Sequence, residues 1–346
     1  MASQAASSNK QPTKFQRWWV RSETSRNIWV YLFPALFVMA IITFIPLLYQ
    51  LWMSFTDYGI TNLRWDSALP NTVWLKNYSD IFSGKLAAKL PNFNFWRLLA
   101  FNLFWTFTNV FFHVILGVLI AVLLNQKGLW FKGFYRAIFI LPMVLPNLVI
   151  AAIWRNMYDP NYGAINVALQ NIGGLFGIPP EQFIIRWLDQ VNQPIPWLFP
   201  GMPLPLSYFA LLFANMWLGW PFMTVVATGA LQSISNDYYE AANIDGANSR
   251  QSFFNITVPL LRPAMVPAIM YGLITTFNLF NLIFFISGGG PLRQTEIMVV
   301  TAFNLINGQR LYGMAAAFSV LIFLILLGLT LLTNYVTRAT ERYDVS

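Results

Sequence analysis

Residues 27–55 read "NIWVYLFPALFVMAIITFIPLLYQLWMSF", a run without a single charged side chain. About 20 apolar helical residues suffice to cross bilayer hydrocarbon, so this one stretch constrains the rest of the chain. Further runs of the same kind lie near residues 97–125, 135–157, 206–231, 262–287 and 314–337. Of the 346 residues, 57% are hydrophobic and 10% charged, whereas soluble domains average roughly 25% charged. Too few charges remain to cover a water-facing surface of that size. The chain therefore reads as all-α, a polytopic membrane protein with six transmembrane helices. In the third run Pro142 and Pro146 stand four residues apart, which predicts a kinked crossing.

Charge placement sets the expected orientation. A net charge of +8 can signal an acidic partner, but in membrane proteins it more often marks Lys and Arg retained in cytoplasmic segments. With both termini cytoplasmic, that side holds Lys10, Lys14, Arg17, Arg21, Arg26, Lys127, Lys132, Arg136, Arg250, Arg262, Arg338 and Arg342, twelve of the 21 basic residues. No nucleic-acid partner is implied. The expected organisation is a cytoplasmic tail over 1–27, whose "KFQRWWVRSETSR" suits a basic, aromatic helix at a lipid headgroup surface. A first crossing and outer loop follow over 28–95. A core of five crossings covers 96–338, with a polar segment at 237–262, and a short cytoplasmic tail occupies 339–346. The first apolar run is too long for a cleavable signal peptide and lacks a small-residue cleavage site.

Three function classes compete for such a chain. A membrane-embedded enzyme needs a nucleophile–base pair or a metal cluster. Here there is one histidine, His113, and no cysteine, so zinc–thiolate and iron–sulfur sites are excluded. "SGKL" at 83–86 lacks the earlier glycine and the hydroxyl residue of a phosphate loop. An ion-coupled secondary transporter usually places ionisable groups in the membrane, and none lies well inside these runs, although backbone carbonyls and hydroxyls can hold sodium. The third class is a pore-forming subunit driven by a partner.

Polar residues recur at helical spacing inside three runs. Asn102, Thr106, Asn109 and His113 form one stripe; Tyr208, Asn215, Gly219 and Phe222 form a second; Tyr271, Thr275, Asn278 and Asn281 form a third. Asn and Thr often bond helices together in membranes. Three such stripes with aromatics among them also fit a pathway for a neutral polar solute, because Asn offers donor and acceptor together. For the first stripe both readings stay open, and His113 alone reads as a packing residue.

Between two of the most apolar runs lies "YYEAANIDGANSRQSFFNITVPLLRPA", residues 238–264. Asp237 and Glu240 have capping-box spacing, Asp245-Gly246 is a turn signal, and Asn248 or Ser249 can cap a second helix that Pro259 interrupts. The small residues Ala241, Ala242, Gly246 and Ala247 would let another surface approach closely.

In this segment Glu240, Ala241, Ala242, Gly246, Ile256 and Pro259 stand in the register Glu-Ala-Ala, three residues, Gly, nine residues, Ile-x-x-Pro. That pattern resembles the cytoplasmic signature of binding-protein-dependent ABC transporter permeases, with Val258 where leucine is usual. "NMWLGWPFMTVVATGALQSISNDYYEAANIDGA" at 215–247, "SGGGP" at 287–291 and "YGMAAAFSVLIFLIL" at 312–326 look most like the larger permease subunit of maltose-type sugar importers. The resemblance implies a type I importer permease fold in a prokaryotic inner membrane. It also implies a second permease subunit, an ABC ATPase dimer, an extracytoplasmic solute-binding protein and an oligosaccharide substrate. ATP and magnesium would be bound by the ATPase, with no cofactor and no catalysis in this subunit. The Glu-Ala-Ala segment would be the coupling helix. Asn215, Gly219 and Phe222 fall on family positions that contact sugar, and Asn278 and Asn281 reproduce an asparagine spacing there in more than one possible register. Phe222 stands where a tyrosine is typical.

Overall fold

The computed structural model describes residues 28–64, 66–126, 128–195 and 204–337; the two terminal tails expected from the sequence lie outside the described residues. Helices run in the order α1 (Ile28–Met53), α2 (Lys76–Phe82), α3 (Phe95–Asn125), α4 (Lys132–Val144), α5 (Asn147–Met157), α6 (Ala164–Leu175), α7 (Leu206–Ser233) and α8 (Asn236–Ile244). They continue with α9 (residues 249–277), α10 (Phe280–Ser287), α11 (Met298–Asn307) and α12 (Tyr312–Thr337). Five spans are long and apolar enough to cross a membrane: α1, α3, α7, the compound span Ser249–Ser287 and α12. A sixth requires α4 and α5 to count as one.

That third crossing is more than kinked. Its two halves meet at 97°. Leu145 is extended, at φ −78° and ψ 138°, because the residue before a proline is driven out of the helical region. Pro146 then opens α5 in an extended conformation of its own. Pro142 lies inside α4, so the two prolines together remove two backbone donors within one turn.

Against α3 lies α7, and glycines set how closely they approach. A Cβ on Gly117 would overlap the Met223 side chain and come within 3.0 Å of the Thr224 nitrogen. The Thr224 hydroxyl donates to the Gly117 carbonyl at 3.1 Å. Lipid tails are as apolar as leucine, so membrane helices associate through such close packing and through interhelical hydrogen bonds. The α3 stripe supplies the bonds. The Asn102 amide donates to the Phe277 carbonyl at 3.2 Å, and its oxygen accepts from the Met298 N–H at 2.7 Å. One fully buried side chain thus joins the end of α9 to the start of α11. Thr106 and Asn109 bond back to carbonyls one turn earlier in their own helix. These three members of the stripe are buried and bonded within the bundle, and none of them lines the cavity described below.

The other end of the bundle is locked by loops. Gly313, at the start of α12, donates to the Tyr58 carbonyl at 2.9 Å, and a Cβ there would overlap the Thr56 carbonyl oxygen. Asn77 on α2 clamps the same strand of backbone by donating to the carbonyls of Ser54 and Thr56. Through these contacts α1 is held at its C-terminal end, while the rest of it is exposed along its length. Between α10 and α11, Glu296 is buried and receives Arg293 at 2.6 Å and the Asn304 amide at 2.8 Å. Burial pushes the Glu296 carboxyl above the usual carboxylate range, and the Arg293 guanidinium opposes that shift.

Asn102→Leu should destabilise the purified protein by about 2–5 kcal/mol, because it strands a buried donor and a buried acceptor at once. Thr106→Val, which removes only a bond within α3, should cost under about 1.5 kcal/mol. Thermal unfolding in detergent would distinguish the two, and equal losses would contradict the bridging role of Asn102.

Candidate functional site

The residues singled out in the sequence gather at two places in the bundle: a cavity among α3, α4, α5, α7 and α9, and the polar turn between α7 and α9. The cavity holds about 290 Å³, at the low end of small-ligand pockets. Its walls are His113 from α3, Met143 and Asn147 from either side of the α4–α5 break, and Asn215, Leu218, Gly219, Phe222 and Met223 from α7. Tyr271, Gly272, Thr275 and Thr276 come from α9, with Leu279 just beyond it.

Asn215 is positioned by α3. Its amide nitrogen donates to the Asn109 side-chain oxygen at 2.7 Å, and its backbone carbonyl meets His113 Nε2 at 2.9 Å. The side-chain oxygen of Asn215 accepts no bond from the described residues. Gly219, one turn on, is where the His113 ring lies: a Cβ there would overlap the imidazole. Glycine at 219 thus makes room for His113 and, through it, fixes Asn215. Phe222 faces Tyr271 across the cavity, ring centroids 5.3 Å apart and tilted by 51°. The Tyr271 hydroxyl and the Asn147 amide have no partner among the described residues. Thr275 spends its proton within α9, on the Tyr271 carbonyl at 2.9 Å.

The expected stripes are only partly realised. Asn215, Gly219 and Phe222 share the cavity, whereas Tyr208 is buried at the far end of α7 with Phe101 and Trp105. Tyr271 and Thr275 line the cavity, but Asn278 and Asn281 do not. For Asn281 the reason is a break in the fifth crossing, just after Asn278. Leu279 has φ −75° and ψ 66°, the geometry of an inverse γ-turn, and the Phe280 N–H donates to the Asn278 carbonyl at 2.7 Å. A stripe extrapolated at 3.6 residues per turn cannot survive that change of direction. His113, Asn147, Tyr271 and Thr275 are cavity residues that the sequence reading did not assign to a site; for the last two, their place on the α9 stripe was the available signal.

The polar turn is built differently from its expected caps. Ser235, not Asp237, caps α8, accepting from the Asp237 N–H at 3.3 Å. At the other end Gly246 has φ +80°, its N–H donates to the Asn243 carbonyl, and the Ala247 N–H reaches the Ala242 carbonyl at 2.9 Å. This is a Schellman ending, which favours glycine at that position. A Cβ on Gly246 would meet nothing within 4 Å, so backbone conformation, not crowding within the chain, demands glycine there. Asn248 opens α9 in a reciprocal capping box with Gln251. Pro259 does not interrupt that helix as expected. A π-helical turn at Phe253–Thr257 absorbs it, and Tyr239 bonds the turn through Thr257 at 2.9 Å. Glu240, Ala241, Gly246 and Pro259 are exposed, Ala242 and Ile256 half-buried. Ile244 and Tyr238 are also exposed on this surface. Asp237, Glu240, Asp245, Arg250 and Arg262 form no ion pair among the described residues.

Residues 113–342 match the family of binding-protein-dependent transport system inner membrane components. The chain belongs to this family. As a member of it, the chain is a membrane permease of an ABC importer, which removes the basis for reading it as a secondary transporter. It is 32% identical over 304 residues to the galactooligosaccharides transport system permease protein GanP of Bacillus subtilis, covering 86% of this chain and 67% of that protein. To the trehalose/maltose transport system permease protein MalF of Thermococcus litoralis it is 31% identical, over 88% of this chain and 91% of the relative. The fold is that of a chain in the crystal structure of a bacterial ABC transporter involved in the import of the acidic polysaccharide alginate. The TM-score is 0.71 at 18% identity, covering 94% of this chain and all of the other.

Gly219→Ala should push the His113 ring aside, break its contact with the Asn215 carbonyl and cost about 1–3 kcal/mol of stability. Adding His113→Ala should return a large part of that loss, since the two residues share one space. Additive losses in the double variant would show that the glycine answers to something other than His113.

Proposed function

We propose that this permease forms one half of the pathway of an ATP-driven importer of neutral oligosaccharides. The observation that carries the reading is a single run of chain. The helices α7 and α9 that wall the cavity are the two helices joined by the Schellman-capped Glu-Ala-Ala turn. Force applied at that turn acts directly on the cavity walls. The exposed Ile244 and Tyr238 and the unpaired charges around them suit docking into a separate ATPase subunit, where ATP and magnesium would bind. With the turn on the cytoplasmic side both termini are cytoplasmic as well, and the cavity opens towards a second permease subunit and a solute-binding protein outside.

The cavity chemistry selects the cargo class. Among the described residues its lining contains no Lys, Arg, Asp or Glu, so a charged solute would lose its hydration without compensation. Asn147, the open oxygen of Asn215 and the Tyr271 hydroxyl present donors and acceptors suited to sugar hydroxyls, and the Phe222–Tyr271 pair offers an apolar face for a sugar ring. Tyr271 also returns, from the opposite wall, a phenol hydroxyl close to where Phe222 lacks one. Galactooligosaccharide-, trehalose- and maltose-type sugars, named for the relatives, all meet this description.

In the complex reconstituted with its ATPase, Gly246→Asp should leave the subunit folded in the membrane yet abolish sugar-stimulated ATP hydrolysis. Normal stimulation would remove the turn from the mechanism. Separately, Asn215→Ala and Gly219→Trp should each lower oligosaccharide uptake at least about tenfold, a loss of about 1.4 kcal/mol in the binding term. Wild-type uptake in both would make those residues packing alone.

A further inference from the structure

A groove of about 250 Å³ runs between α4 and α7, with Leu124 of α3 at its edge. It uses a different stripe of α7 from the sugar cavity: Pro221, Val225, Thr228 and Gln232 line the groove, whereas Asn215, Gly219 and Phe222 line the cavity. From Trp220 to Gln232 it extends about 18 Å along the helix, at 1.5 Å per residue. Its walls are apolar for most of that length, and Phe139 closes edge-on against Trp220 at 5.2 Å.

The polar groups gather at one end. Arg136 lies one turn into α4 and Gln232 in the last turn of α7, so both sit at the α8 end of the bundle, with Thr228 beside them. Arg136 is half-buried and, among the described residues, is the only charged one in the lining. Among the described residues, none of Arg136, Thr228 and Gln232 has a hydrogen-bond or ion-pair partner. A half-buried guanidinium with no acid beside it is left for an anion to satisfy. A free anion would make no use of the long apolar floor.

We propose that this groove is a binding site for one anionic phospholipid. The phosphate sits on the Arg136 guanidinium, whose planar fork matches two phosphate oxygens, while Thr228 and Gln232 bond the headgroup. One acyl chain lies along Ile140, Phe139, Trp220 and Val225. Basic pockets between transmembrane helices take anionic headgroups for the same electrostatic reason. The site lies on the side of α7 away from the cavity.

Native mass spectrometry of the full chain, released from micelles holding equal phosphatidylglycerol and phosphatidylcholine, tests this. One phosphatidylglycerol should be retained with a preference of about fivefold, the scale of one basic residue near an anionic lipid. Arg136→Gln should lose the preference and Arg136→Lys should keep most of it. A Cβ on Gly229 would meet nothing within 4 Å, so Gly229→Leu can fill the groove without disturbing the fold and should displace the lipid. Equal retention of both lipids by the wild type, or an undiminished preference in both Arg136→Gln and Gly229→Leu, would overturn the site. Displacement of phosphatidylglycerol by millimolar inorganic phosphate would overturn it too, making the groove a free-anion site.

Discussion

The hydrogen bond from Asn215 to Asn109 ties α7 to α3 beside the cavity, and the geometry of the cavity depends on it. In hydrocarbon no hydrophobic drive brings two apolar helices together, so small residues and buried polar bonds must do so. The α3–α7 seam uses both, with Gly117 under Met223, His113 against Gly219, and Asn109 bonded to Asn215. The same bonds that hold the helices decide what the cavity presents. With the Asn215 nitrogen occupied by Asn109, its free oxygen makes that residue an acceptor toward the cavity. The helix seam and the cavity wall are therefore one network, and a change to either partner is felt in both.

Helical backbone is interrupted twice along the crossings, at Leu145–Pro146 and at Asn278–Leu279. Both breaks border the cavity, since Met143, Asn147 and Leu279 are among its walls. A helix break within a bilayer frees carbonyls and amides that lipid cannot satisfy, which confines such breaks to protein-lined or wet space. One freed carbonyl, that of Phe277, is taken by Asn102. The arrangement also segments the walls: α4 and α5, and α9 and α10, are separate helices on either side of a break.

What the sequence made legible was whatever depends on composition or on short-range spacing. Long uncharged runs marked the spans, and the Glu-Ala-Ala register marked the turn between α7 and α9. The polar stripe on α7 placed Asn215, Gly219 and Phe222 on one wall. Extrapolation failed where a local device changed the register. The γ-turn at Leu279 redirects the chain before Asn281, Asn278 turns its amide back to the Ile274 carbonyl, and the π turn at Phe253–Thr257 let α9 pass through Pro259. Asp237 lost the cap to Ser235, because two residues of capping type stand close together and spacing alone does not choose between them. His113 was the harder case. A lone histidine on an apolar helix reads as packing, and it does pack, but against the glycine that shapes the site. Only the contact across helices separated in sequence by 106 residues, the same separation as Asn109 and Asn215, could reveal that.

Likeness of fold carries no cargo with it, and the side chains of the two chains' cavities are free to differ. The alginate importer whose chain shares this architecture is described as importing an acidic polysaccharide, and an acidic chain would need cations or a dense array of donors along its path. Here the cavity offers amides, a phenol, a threonine and two facing aromatic rings, with no basic side chain among them. The charged groups at the far end, Arg293 and Glu296, are bonded to each other and to Asn304 and are therefore committed to the loop before α11. Arg136, the basic residue without a partner in the α4–α7 groove, lies on the other side of α7 from the pathway. The described walls of this cavity therefore present amides, hydroxyls and aromatic faces, and no Lys, Arg, Asp or Glu.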